Sequence, residues 1–129
     1  MKLAEGILFV ENVGSGDVTA SYDRVLVDAP CSGVGTMRRR PEIALRRQSS
    51  DLEALARAQG EIARRAATHV RPGGSLAYVV CSVLREESEA VIDALLAALP
   101  EFQPREPAFR LLPQVHGTDG YFVATLVRR

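Results

Sequence analysis

Two cysteines follow apolar runs that predict buried strands. Residues 24–27 lead through Asp28 toward Cys31, and residues 75–80 lead directly into Cys81. A thiolate is a nucleophile and a carboxylate can bind or move protons, so this set could perform covalent catalysis. A helix predicted after Cys81 would also lower the pKa of its thiol below the ordinary value through the helix dipole. Cys81 is therefore the candidate nucleophile, with Cys31 and Asp28 beside it if the two strands are neighbours.

The cysteines also allow other interpretations. Free cysteines are most often small buried apolar residues, and these two lack the Cys-x-x-Cys spacing of a typical redox pair. A zinc site needs more ligands than two cysteines and the distant His69 and His116 provide. We expect no metal.

Apolar residues at helical spacing predict two helices. The first opens with Ser50 and Glu53 as a capping box, and residues 72–74, Pro-Gly-Gly, stop it. The second begins at Glu86, where acidic residues favour a helix N-terminus, and ends before Pro100.

Strands are predicted on both sides of these helices. A short strand is predicted at 7–10, and two further apolar runs follow at 24–27 and 75–80. The run at 24–27 is typical of a strand covered on both faces. Alternating strands and helices imply crossover connections and a parallel sheet, so the fold class is α/β. The last two runs, around 108–112 and 121–127, lie too close for a helical crossover and predict an antiparallel hairpin at one edge.

The composition indicates one domain without a strong overall charge. The chain has 129 residues, with 16 Lys and Arg against 16 Asp and Glu. A zero net charge gives no long-range field toward nucleic acid or membrane, so any RNA contact must come from a local patch. Residues 1–10 suit neither a signal peptide nor a membrane span. We expect a soluble, cytoplasmic protein with no membrane partner.

Five blocks of sequence appear in the order of a known family: "DAPCSGVGT", "RRRPE", "VRPGGSLAYVVCS", "REESEAVI" and "HGTDGYFVA". From about Tyr22 to the C-terminus the chain closely resembles the carboxyl half of the Sun-type RNA 5-methylcytosine methyltransferases. The resemblance implies a partial Rossmann-like methyltransferase sheet, S-adenosylmethionine as cofactor, and rRNA or tRNA as partner. It divides the chain into an N-terminal remnant, residues 1–21, and the C-terminal half of a catalytic domain, residues 22–129.

The resemblance also implies a role for each candidate residue. Cys81 corresponds to the nucleophile that adds to cytosine C6, and Cys31 to the residue that assists release of the product. Asp28 corresponds to the carboxylate that hydrogen-bonds the pyrimidine edge. With Pro30 it also falls beside the cofactor. The family commonly has Thr where this chain has Val80, which removes a hydroxyl but leaves the nucleophile.

The cofactor-binding half of the family pattern is missing. Residues 14–16, Gly-Ser-Gly, follow an apolar run, but the next strand begins too soon for a crossover helix, so we interpret them as a turn. Loss of the neighbouring strand would expose the edge of residues 25–27. We expect that edge to be covered by self-association, by a partner chain or by a rearranged N-terminal strand.

One dense basic patch follows the Cys31 loop. It comprises Arg38, Arg39 and Arg40, with Arg46 and Arg47 close behind. Such runs are often solvated loops, but their position beside the site predicts contact with RNA phosphates.

Two other functions stay open. The chain could be a non-catalytic RNA-binding or interaction module that retains the fold. It could also methylate an amino group. The Asp-Ala-Pro-Cys segment lies at the strand end where methyltransferases that act on amino groups have an Asn/Asp-Pro-Pro-aromatic motif. Cys81 argues against this last function, because amino-group transfer needs no thiol nucleophile.

Residues 116–120 predict a turn held by Asp119, which the resemblance places near the site.

Overall fold

The computed structural model describes residues 2–4, 7–10 and 21–129. The described strands are β1 (Lys2–Ala4), β2 (Ile7–Val10), β3 (Tyr22–Asp28), β4 (Val70–Val80), β5 (Phe102–Pro104), β6 (Phe109–Leu111) and β7 (Tyr121–Arg128). The helices are α1 (Ile43–Arg46), α2 (Ser49–Ala67), α3 (Glu89–Ala98) and α4 (Pro113–His116).

These strands form one mixed sheet in the order β1-β2-β3-β4-β7-β5, with β6 also paired to β7. Strands β2, β3 and β4 run parallel, whereas β7 is antiparallel to β4, β5 and β6. The predicted α/β class and the C-terminal antiparallel hairpin are therefore confirmed. The hairpin differs in one respect, because β7 lies inside the sheet beside β4 instead of at its edge.

The core lies between the sheet and two helices. Buried alanines of α2 and the apolar face of α3 pack on alternate residues of the strands, which include Val25, Leu76 and Tyr78. The residues between them, such as Leu26 and Ala77, are only half-buried. The expectation that residues 24–27 are covered on both faces is wrong, because both long helices of the described residues join this one cluster.

The first long helix begins and ends earlier than predicted. The backbone N–H of Gln48 donates to the Asp51 carboxylate (2.9 Å), so this pair, and not Ser50 with Glu53, closes the N-terminus. The helix ends at Ala67, and the following strand begins at Val70. The predicted stop signal, residues 72–74, therefore lies inside β4.

The N-terminal strand covers one edge of β3. Residues Ile7 to Val10 pair in parallel with Arg24 to Val27. Of the three expected ways of covering this edge, the rearranged N-terminal strand is the one present, and self-association and a partner chain stay predictions. The predicted turn at 14–16 lies outside the described residues. Within the described part of the chain, no helix is long and apolar enough to cross a bilayer.

Candidate functional site

The parallel pairing of β3 and β4 brings the two thiols together. Both strands present their carboxyl ends at the same edge of the sheet, which is where open α/β sheets bind ligands. Cys31 follows the end of β3 and Cys81 follows the end of β4, and their Sγ atoms lie 3.0 Å apart in a hydrogen bond. Both side chains are half-buried. The expected convergence of the two cysteines is therefore present.

This contact makes the two thiols unequal. The hydrogen bond with Cys31 lowers the pKa of Cys81 from its ordinary 9.0 to about 7, against the opposing effects of burial and of the Asp28 and Glu87 carboxylates. The same hydrogen bond, with burial, raises the pKa of Cys31 far above its ordinary value. The arrangement favours a thiolate on Cys81 and a proton on Cys31.

The cause of the lowered pKa is not the one expected from the sequence. Helix α3 begins only at Glu89, after a short 3-10 turn at Arg85–Glu87. A helix dipole acts over about one turn, so its N-terminus does not reach Cys81. The pKa of Cys81 is lowered instead by the hydrogen bond with Cys31.

A buried carboxylate holds the loop that carries Cys31. Glu87 Oε1 accepts the backbone N–H of Ser32, and Oε2 accepts the Ser32 hydroxyl, both at 2.7 Å. Gln59 of α2 donates to Glu87 Oε1 (3.2 Å) and to the Pro30 carbonyl (2.9 Å). Glu87, Ser32 and Gln59 are fully buried. Sequence analysis missed this carboxylate, because an acidic run before a helix is typical of a solvated N-terminus.

A glycine joins the site to the C-terminal hairpin. The N–H of Gly35 donates to the Cys81 carbonyl (3.0 Å), and the Gly35 carbonyl accepts from the N–H of Gly120 (2.6 Å). A Cβ atom at Gly35 would collide with the Gly120 carbonyl and lie 2.8 Å from that of Cys81. Gly120, at the end of the segment 116–120, therefore lies one residue removed from Cys81, near the site as the resemblance implied.

The three arginines predicted to bind RNA have different partners. Arg38 and Arg39 both donate to the largely buried Asp119 carboxylate, and this holds the pKa of Asp119 below its ordinary value. Arg40 contacts Glu42 at 3.4 Å, and both side chains are exposed. The structure thus divides a run that the sequence presented as one patch.

A cleft of about 410 Å³ opens at the thiol pair. Its walls are the loop around Cys31, Cys81 itself, and the side chains of Arg40, Arg46 and Arg47. Arg47 Nε also donates to the carbonyl of Ser32 (3.0 Å). The cleft therefore combines two sulfur atoms with a cationic wall.

Asp28 and Pro30, the residues predicted to lie beside the cofactor, occupy the same end of the sheet. Asp28 is exposed at the end of β3 and Pro30 is half-buried. A carboxylate there fits the cationic methyl-donor end of S-adenosylmethionine. Residues 21–129 contain no Gly-x-Gly-x-x-Gly loop, so they fit that cofactor only in part. Among the described residues, no group of three or more His, Cys, Asp or Glu could hold a metal ion.

Comparisons with known proteins cover nearly the whole chain. The family model described as "16S rRNA methyltransferase RsmB/F" matches residues 9–127. The ribosomal RNA small subunit methyltransferase B of Klebsiella pneumoniae is 41% identical over 114 residues, which are 84% of this chain and 26% of that protein. The chain therefore spans about a quarter of the length of this curated relative.

Two solved structures share the fold. The crystal structure of PH0851 superposes with a TM-score of 0.79 and 35% identity, over 83% of this chain and 27% of that one. NSun6 from Pyrococcus horikoshii, solved with SFG, gives a TM-score of 0.77 and 28% identity, over 87% and 31% of the two chains.

Proposed function

The chain belongs to the 16S rRNA methyltransferase RsmB/F family, and from this membership we propose that it takes part in methylating C5 of cytosine in ribosomal RNA. S-adenosylmethionine is the proposed cofactor. The chain spans about a quarter of the length of its curated relative, and we infer that it supplies the strand ends at which the reaction takes place.

The observation that carries the proposal is the 3.0 Å contact between Cys31 and Cys81. Cytosine C5 is a poor nucleophile, and addition of a thiolate at C6 makes C5 electron-rich enough to accept a methyl group. Cys81, whose pKa is lowered to about 7, would be partly ionised at neutral pH and suits this attack.

The neighbouring residues fit the other steps. As the bond between Cys81 Sγ and C6 forms, the ring electrons shift toward C5 and N3, and Asp28 would stabilise a proton at N3. Once methylated, C5 gives up its proton to a water molecule, and the electron pair of that bond restores the double bond between C5 and C6. The bond between Sγ and C6 then breaks and its electron pair returns to sulfur. The hydrogen bond from Cys31 would stabilise that departing thiolate. The target base must leave its stack to reach the cleft.

S-adenosylmethionine, when bound, supplies the methyl group. Asp28 and Pro30 would lie against its methyl-donor end, as expected from the sequence. Residues 21–129 provide only this part of the cofactor contacts.

The experiment is covalent trapping. We expect the chain, mixed with S-adenosylmethionine and RNA containing 5-azacytosine, to form an adduct that survives denaturing electrophoresis. Cys81→Ser should abolish the adduct, whereas Cys31→Ser, the matched control, should retain it. If the adduct persists in Cys81→Ser and disappears in Cys31→Ser, Cys31 is the nucleophile and Cys81 is not. Absence of any adduct would favour a non-catalytic module.

A further inference from the structure

We propose that Arg40, Arg46 and Arg47 form a phosphate-binding site for the backbone of single-stranded RNA at the mouth of the cleft. The inference rests on the proposed function, because the base between these phosphates would face Cys81. It also revises the sequence prediction, which placed RNA contact at Arg38, Arg39 and Arg40.

The positive charge of the cleft lining favours phosphate binding. Its lining contains three guanidinium groups and no carboxylate. Arg46 and Arg47 are exposed, and Arg40 meets Glu42 only in a contact at 3.4 Å between two exposed side chains. Exposed pairs of this kind contribute little, so a phosphate can replace Glu42 as the partner of Arg40. Guanidinium groups also match the geometry of phosphate oxygens.

The cleft arginines are also held in a fixed position beside the Cys31 loop. Ile43 of α1 is buried, and a Cβ atom at Gly33 would lie 3.3 Å from its side chain, so α1 is packed closely against the Cys31 loop. Arg46 lies about one helical turn after Ile43, at the end of α1, and Arg47 is the next residue. The hydrogen bond from Arg47 to the Ser32 carbonyl fixes this segment one residue from Cys31. The cationic wall therefore has a defined place relative to the thiols.

Arg38 and Arg39 differ in both respects. They do not line the cleft, and both already donate to Asp119, which is 8% exposed. A phosphate there would compete for these guanidinium groups with a carboxylate that has little access to water. We therefore assign these two arginines to holding the hairpin and the cleft arginines to RNA.

The test compares two double variants with the same change in charge. Arg40→Ala with Arg46→Ala removes two cleft arginines and leaves Arg47 in its contact with Ser32. The control, Arg57→Ala with Arg65→Ala, removes two exposed arginines of α2 outside the cleft.

The readout is the salt dependence of binding to a fluorescent single-stranded RNA of about 12 nucleotides. Each lost phosphate contact should reduce the slope of log affinity against log salt by about 0.7. The cleft variant should therefore lose about 1.4 in slope, which is roughly 60-fold in affinity at 0.05 M salt relative to 1 M. The control should keep the slope of the unchanged chain.

Equal losses in both variants would overturn the proposal, since they would reflect net charge alone. An unchanged slope in the cleft variant, or no binding by the unchanged chain at 0.05 M salt, would overturn it as well. Trapping of 5-azacytosine RNA by Cys81 is read separately. A slope that falls as expected without any covalent adduct would leave the phosphate site in place and refute the proposed chemistry.

Discussion

Replacement of Glu87 by Gln should destabilise the fold and separate the two thiols. The side chain is fully buried, and its three hydrogen-bonding neighbours are donors: the Ser32 N–H and hydroxyl and the Gln59 amide. A glutamine of the same size has one acceptor oxygen. Its NH₂ group meets either N–H donors or the Ser32 hydroxyl, which can accept only by turning its own proton away. At least one buried donor then loses its partner, and the remaining bonds lose their charge.

The magnitude follows from these bonds. A hydrogen bond to a charged group contributes about 1.5–3 kcal/mol, and an unsatisfied buried donor costs about 1–3 kcal/mol. Release of the buried negative charge offsets part of this loss. We expect Glu87→Gln to lower the free energy of unfolding by roughly 2–4 kcal/mol, which shifts the urea midpoint by about 1–2 M.

Glu86→Gln is the matched control, because Glu86 is the adjacent residue and is exposed. It should change the free energy of unfolding by less than about 0.5 kcal/mol. If the two variants unfold at the same urea concentration, the Glu87 hydrogen bonds do not stabilise the loop and the reasoning fails.

The pKa of Cys81 provides a second and sharper readout. The Glu87 charge itself raises that pKa, so its removal alone would lower it further below about 7. Displacement of the Ser32 loop would instead weaken the contact with Cys31 and raise the pKa toward its ordinary value. We expect the rise, measured as the pH dependence of alkylation by iodoacetamide. A fall would mean that the carboxylate acts on the site only through its charge.

Three further changes have distinct expected results. Cys31→Ala removes the hydrogen bond that lowers the Cys81 pKa, so the pH midpoint of alkylation should rise from about 7 toward 9.0. Gly35→Ala places a methyl group against two carbonyls and should cost about 1–3 kcal/mol in urea unfolding, whereas Gly60→Ala, a helical position with open space, should stabilise by about 0.5–1 kcal/mol. Arg110 donates two hydrogen bonds to the Glu89 carboxylate and lowers its pKa to about 2. Glu89 therefore stabilises the fold above its ordinary pKa of 4.5 and loses this effect as the pH falls toward 2, so the difference in urea unfolding between wild type and Glu89→Gln should shrink on acidification.

Local sequence patterns predicted the parts of the fold that local physics determines. The β-branched runs marked β3 and β4, and the rule that ligands bind at the carboxyl ends of parallel strands predicted that Cys31 and Cys81 lie together. Turn residues were less informative. Residues 72–74 have the composition of a loop and lie within the bounds of β4, but there the register against β3 shifts between Tyr22↔Val70 and Arg24↔Ser75, and Gly73 has a φ of 80°.

Long-range polar pairs could not be predicted in this way. Glu87 stands 55 residues from Ser32, and Asp119 stands 80 residues from Arg39. In the sequence each carboxylate has the appearance of a solvated residue in a helix start or a turn. Only the packing of β3, β4 and the C-terminal hairpin removes them from water, and this burial turns a surface charge into a structural contact.

The division of the arginines changes how this surface must be tested. Alanine replacement of Arg38, Arg39 and Arg40 together would leave the Asp119 carboxylate without its cations and loosen the segment that contacts Gly35, while also removing one cleft arginine. Weaker RNA binding by such a variant would combine a folding defect with a lost phosphate contact. Replacing both Arg40 and Arg46 by alanine keeps the Asp119 contacts intact, so any loss of RNA affinity then reports on the cleft alone.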